Sequence, residues 1–164
     1  MAKVIQFPQG RTQQQPKQRQ HLTRNETIKR IKAALRRRSG RTWSVTGGKG
    51  TGWGWITIEV LPRERTWIEE RIPDAELPPS VDRFDMSMHE RCYRWRQMTA
   101  EEKAAGEWGY MGPEDCAELA RLLSLSRPVH HQGQDIPAGS GYYQEYVDRA
   151  EGREPSVYGK RYWD

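Results

Sequence analysis

Cysteine, phenylalanine and long apolar runs are all scarce in this chain of 164 residues. Two cysteines, Cys92 and Cys116, stand too far apart in sequence to form a disulfide framework, and a reducing, cytoplasmic setting is expected. No stretch approaches the roughly 20 apolar residues of a membrane span. The start of the chain also lacks the apolar core of a signal peptide. Mean hydropathy is −1.00, and only 2 Phe are present, so the 7 Trp and 7 Tyr must supply much of the burial. A small single-domain core fits that composition.

Acid is nearly missing from residues 1–41. There Glu26 stands alone against twelve Lys and Arg, a net of +11, whereas the other 15 cations and 21 acids give −6. Such asymmetry points to a polyanionic partner for the basic segment, with solubility as the plainer alternative. Residues 8–21 carry Gln, Pro, Arg and Lys with almost nothing apolar, and cannot repay the entropy of ordering. Residues 1–22 are therefore expected to be a disordered arm, with the sticky cluster Val4-Ile5-Gln6-Phe7-Pro8 near its tip. Residues 23–164 are expected to form one small α+β domain: a mostly antiparallel sheet with helices on one face.

Thr23-Arg24-Asn25-Glu26 is a capping-box pattern and predicts a helix to Arg38, stopped at Ser39-Gly40. Ile28, Ile31 and Leu35 form its apolar stripe with Ala34 beside it. Lys29, Arg30, Arg36 and Arg37 project opposite, while Lys32 and Arg38 flank the stripe. A favourable helix dipole explains Arg36–Arg38 without a ligand, but not Lys29 and Arg30.

A hairpin follows, Thr42–Thr46 against Trp53–Val60 around Gly47-Gly48-Lys49-Gly50-Thr51-Gly52. Alternation puts Ile56, Ile58 and Val60 on the core face, and Trp53, Trp55, Thr57 and Glu59 on the other. That second face is either covered by the later insert or open to a ligand. Residues 61–108 read as an irregular insert, with a short strand expected at Trp67-Ile68 and a helix after Ser87 burying Met88, Cys92 and Trp95. Short helices begin at Thr99 and at Gly112-Pro113, a strand is expected near 128–131, and Ser140 caps a last helix burying Tyr143, Tyr146 and Val147.

Motifs for catalysis are largely missing. Lys49 is followed by Gly50 and a strand, not by Ser/Thr and a helix, so the glycine run is a hairpin tip rather than a phosphate loop. His89, Cys92, Cys116, His130 and His131 lack the paired short spacings of a zinc site, so no metal and no cofactor are expected. Ser140 or His130 in a hydrolase has nothing that selects it over an N-cap or a surface histidine. Trp43 and Trp95 read as core, whereas Trp53 and Trp55, near Lys49 and Arg41, fit either core or a stacking platform.

The segments TWSVTGGKGTGWGWITI (42–58), GYMGPEDCAELARLL (109–123) and YYQEYVDRAEGR (142–153) resemble small uncharacterised proteins of bacteria, their phages and plasmids. More distantly, residues 24–60 are similar to the large polyvalent protein-associated domains of mobile elements. The resemblance brings no catalytic residues. It implies a mobile-element setting, in which nucleic-acid accessory proteins and inhibitors of host defence are both common. The expected function is non-enzymatic nucleic-acid binding, DNA or RNA, through the arm and Lys29, Arg30, Arg36, Arg37, Arg41, Lys49 and Trp53. The alternative is a protein-binding inhibitor or adaptor, with exposed aromatics such as Trp53 and Tyr162-Trp163 as anchors.

Overall fold

The first helix, α1 (Arg24–Ser39), begins at the capping box. The Thr23 N–H donates to the Glu26 carboxylate at 2.9 Å, and the Glu26 N–H donates to Thr23 Oγ1 at 3.3 Å. Gly40, at φ +72°, ends the helix in the left-handed conformation and donates to the Arg36 carbonyl at 2.9 Å. These are features of a computed structural model that describes residues 21–155. The expected disordered arm up to residue 20 and the Tyr162-Trp163 pair lie outside the described residues. Leu22 is buried in the core, so the folded part starts ahead of the boundary drawn from sequence at Thr23.

Strands β1 (Trp43–Gly47), β2 (Ile56–Val60) and β5 (Gln134–Ile136) form an antiparallel sheet in the order β1-β2-β5. Val45 pairs with Ile58, and Ile56 with Ile136. Trp43, Val45, Ile56, Ile58, Val60 and Ile136 point inward and are essentially fully buried. Helices α1, α3 (Pro113–Leu122) and α4 (Ser140–Glu151) supply the rest of the core through Ile31, Leu35, Leu119, Leu122, Tyr146 and Val147. Burying each large aliphatic side chain this way contributes about 1.5–3 kcal/mol. The fold is α+β, with no helix among the described residues long and apolar enough to cross a membrane.

The second hairpin strand begins at Ile56 rather than Trp53. The ladder ends where the Gly48 N–H donates to the Trp55 carbonyl at 2.8 Å, and Gly50–Gly52 turn as a 3-10 segment that takes the Trp53 N–H. The segment 61–108 is more regular than its composition suggests. It contains an antiparallel pair, β3 (Trp67–Arg71) with β4 (Tyr93–Gln97), followed by α2 (Ala100–Ala104). The helix expected after Ser87 is a 3-10 segment over Met86–Cys92, and Trp95 lies in β4. Alternation in Tyr93-Arg94-Trp95-Arg96 favours a strand, and Glu70 on β3 receives Arg94 and Arg96 at 2.7 and 3.0 Å. The strand expected near 128–131 is displaced to β5, and His130 forms only an isolated bridge with Gly133. Pro128 has no N–H to offer a ladder. Ser140 is the first residue of α4 rather than its cap, and the cap position, Gly139, makes no side-chain hydrogen bond.

The insert is anchored at three places. Trp67 and Tyr110 exchange backbone hydrogen bonds of 3.2 and 2.7 Å. Arg65, its side chain 7% exposed, pairs with Glu59 on the outer face of β2. Trp95 stacks on His131 with ring centroids 3.8 Å apart. The insert thus covers the Glu59 end of that face and leaves the Trp55 end uncovered.

Candidate nucleic-acid interface

Eight cations lie from Arg24 to Arg41, and folding divides seven of them into two sets and gives Arg24 a role of its own. Arg30 turns toward α4 and pairs with Glu151 at 3.0 Å. The Arg38 guanidinium donates through one nitrogen to the carbonyls of Leu122, Arg149 and Ala150, at 2.6, 3.1 and 2.9 Å. These groups end α3 and α4, where carbonyls lack helical partners and carry the negative end of the dipole. Arg41 is held by Asp115 at 2.7 Å, Glu118 at 2.9 Å and Glu64 at 2.8 Å, with its guanidinium 4.8 Å from the Trp43 ring centroid. Burial pulls its pKa down, but the hydrogen bonds to Glu64 and Asp115 outweigh that and raise it. Three carboxylates therefore occupy a cation that the sequence offers to a ligand.

Lys29, Lys32, Arg36 and Arg37 form the other set. All are exposed, and none has a hydrogen-bond or ion-pair partner among the described residues. Lys29, Lys32 and Arg36 follow one another at i, i+3 and i+7, which makes a row about 10 Å long on the solvent side of α1. Sequence periodicity puts Lys32 on the flank of the apolar stripe, and its exposure adds it to the row.

Arg24 has a separate task at the start of the helix. Its guanidinium donates to the carbonyls of Gly48, at 3.0 Å, and Trp53, and lies 4.2 Å from the Trp53 ring centroid. The glycine loop therefore sits at the N-terminal end of α1. Tyr143 on α4 donates its hydroxyl to the Gly54 carbonyl, fixing the loop from the other side. The clamped loop still presents Lys49, which is exposed, with Trp53 61% and Trp55 45% exposed. The structure thus gathers Lys49 and Trp53 at one end of α1 and sets Lys29 and Arg36 along it. Arg30 and Arg41 are turned to internal carboxylates. Sequence reasoning missed Arg24, whose carbonyl and ring partners lie 24 and 29 residues away.

The remaining candidates for chemistry are occupied structurally. Burial raises the Cys116 thiol to a pKa of about 11. Cys92 is buried, and its thiol faces the Met88 carbonyl. His131 Nδ1 donates to the Met111 carbonyl at 2.7 Å, and His130 Nδ1 accepts from the Gln132 N–H at 3.2 Å. Among the described residues no group of three or more His, Cys, Asp or Glu is placed to hold a metal ion. Compared with protein-family models, curated proteins and solved structures, the chain matches none.

Proposed function

We propose that the protein binds nucleic acid as a non-enzymatic accessory protein, contacting phosphates through its basic N-terminal arm and the outer face of α1. A phage or other mobile-element setting belongs to the same proposal. The observation that carries it is the row Lys29, Lys32, Arg36 with Arg37 beside it, exposed and without a partner among the described residues, in a fold whose other helix-proximal cations are matched to acids or carbonyls. Unpaired cations on a rigid helix attract a polyanion and release its counterions on contact. Fluorescence anisotropy with labelled oligonucleotides of about 20 nucleotides, across a salt series, tests it. Binding at low salt that weakens linearly in log Kd against log salt is expected. Absence of binding at low salt, or binding indifferent to salt, refutes the reading.

A second reading, a protein-binding inhibitor or adaptor, is favoured by one feature. Phe84 and Met86 stand 93% and 81% exposed, close together in the insert. Exposed apolar groups of that kind are typical anchors for a protein partner. A nuclease-resistant partner retained by the wild type, and lost on Phe84→Ser with Met86→Ser, would support it over the first.

A further inference from the structure

We infer that the nucleic acid is single-stranded, and that an unpaired base stacks on Trp53 at the clamped glycine loop. This rests on the phosphate-binding reading above and adds the substrate class. Exposed indoles in a flexible loop lose freedom on binding, but the backbone that carries Trp53 is already held and its ring meets Arg24. Arg24 fixes the loop carbonyls of Gly48 and Trp53, and the backbone closes on itself from Gly48 N–H to Trp55 carbonyl, at 2.8 Å, and from Trp55 N–H to Gly52 carbonyl, at 2.9 Å. A ring arranged before binding keeps most of its stacking energy.

The arrangement around Trp53 is one-sided. The Arg24 guanidinium, 4.2 Å from the centroid, covers part of the ring, yet 61% of the residue remains exposed. An accessible indole surface is therefore left in solvent, with a fixed cation against the same ring. Neutralising that cation's surroundings with a nearby phosphate, and filling the free surface with a base, are compatible demands. Lys49, exposed on the same loop, gives the backbone a second positive contact. The cation row of α1 begins about 7.5 Å along the axis from Arg24, within reach of the next phosphates of one strand.

Duplex does not suit this end of the molecule. Its bases are stacked on each other, so an indole reaches a base face only after a step is opened. Unpaired bases offer their faces at no such cost, and base–aromatic stacking tolerates any sequence. A protein ligand would meet the same rings, but Lys49 on the loop and Lys29 and Lys32 further along α1 are exposed cations that match a phosphate backbone, while the nearby acids Glu26 and Asp135 are hydrogen-bonded to Thr23 and Thr57.

The test compares three probes at one salt concentration: oligo-dT, an abasic strand with the same phosphates, and duplex of equal length. The wild type should bind oligo-dT most tightly, and Trp53→Ala should weaken that binding about 5- to 100-fold while leaving the abasic strand unchanged. Trp53→Phe, which keeps a ring, should recover part of the loss, and it separates stacking from any disturbance of the Arg24 clamp. Equal binding of oligo-dT and the abasic strand, or no effect of Trp53→Ala on oligo-dT, overturns the inference while leaving the electrostatic reading standing. Failure of all three probes to bind at low salt overturns both and leaves a protein partner as the ligand.

Discussion

Replacing Lys29, Lys32, Arg36 and Arg37 together by Gln separates presented charge from total charge. Glutamine is a good helix former, so the exposed face of α1 should stay helical. The loss of Arg36 and Arg37 from the last turn removes a dipole interaction of about 0.3–1 kcal/mol each, a modest fall in stability that thermal denaturation will register. If all four meet phosphates, they contribute about 3.6 to the log–log salt slope on duplex and about 2.8 on a single strand. Raising salt fourfold, from about 50 to about 200 mM, should then cost the wild type about 50- to 150-fold more affinity than the variant. Arg30→Gln is the control. Arg30 is paired with Glu151 at 3.0 Å, so its loss should leave the slope nearly unchanged and act on stability instead. Anisotropy titrations at four or more salt concentrations give both slopes. A wild-type slope in the quadruple variant, or an equal fall in Arg30→Gln, refutes the division of the helix cations into presented and absorbed sets.

Three further outcomes follow from single side chains. Arg38→Met keeps the aliphatic stem but removes the donor shared by the Leu122, Arg149 and Ala150 carbonyls, and should cost about 1–3 kcal/mol in urea denaturation. Within the loop, a Cβ at Gly48 would lie 2.0 Å from the Gly52 carbonyl oxygen, whereas one at Gly52 meets nothing within 4 Å. Gly48→Ala should therefore destabilise by about 1–3 kcal/mol and Gly52→Ala by less than about 0.5, as measured by thermal melts. Glu102 is held at a pKa of about 2, chiefly by hydrogen bonds from Arg96 and also by the Thr99 N–H. Since its folded pKa lies below the ordinary 4.5, the stability it lends is present above 4.5 and lost as pH falls through about 2. A carboxyl NMR titration should show this value, and Arg96→Gln should return it toward the ordinary range.

What the sequence revealed and what it concealed divide by distance along the chain. The capping box of Thr23 and Glu26, the apolar stripe through Ile31 and Leu35, and the alternation Ile56-Thr57-Ile58-Glu59-Val60 are local patterns, and each corresponds to the structure found. The start of β2 was misplaced because the alternation in Trp53–Trp55 continues past the point where a 3-10 turn takes over the hydrogen bonds. The fate of each cation depended on partners no local pattern contains. Arg30 meets Glu151 across 121 residues, Arg41 meets Asp115 across 74, and Arg38 meets Ala150 across 112. Exposure of Trp55 was equally hidden, since it depends on the insert docking over the Glu59 end of the sheet face through Arg65.

The same distances explain why the charge asymmetry overstates the interface. Residues 42–164 carry the excess acid, and part of it (Glu64, Asp115, Glu118, Glu151) is spent on Arg30 and Arg41. Two elements of opposite net charge therefore neutralise each other where they pack, Arg24 and Arg38 keep their charge against backbone carbonyls, and the outward phase of α1 presents its charge to solvent. Mutations of those acids make a different prediction from mutations of the outer row. Glu151→Gln should free Arg30, leave Arg153 with its other partner Asp148 and leave the outer row as it was, so on the polyanion reading it should steepen the salt slope by up to about one. A helix whose charges acted merely as a sum would instead respond equally to any neutralised acid, including distant ones such as Glu101. Measuring Glu151→Gln beside Glu101→Gln decides between a presented row and a diffuse field. If both slopes rise alike, the row on α1 has no privileged role.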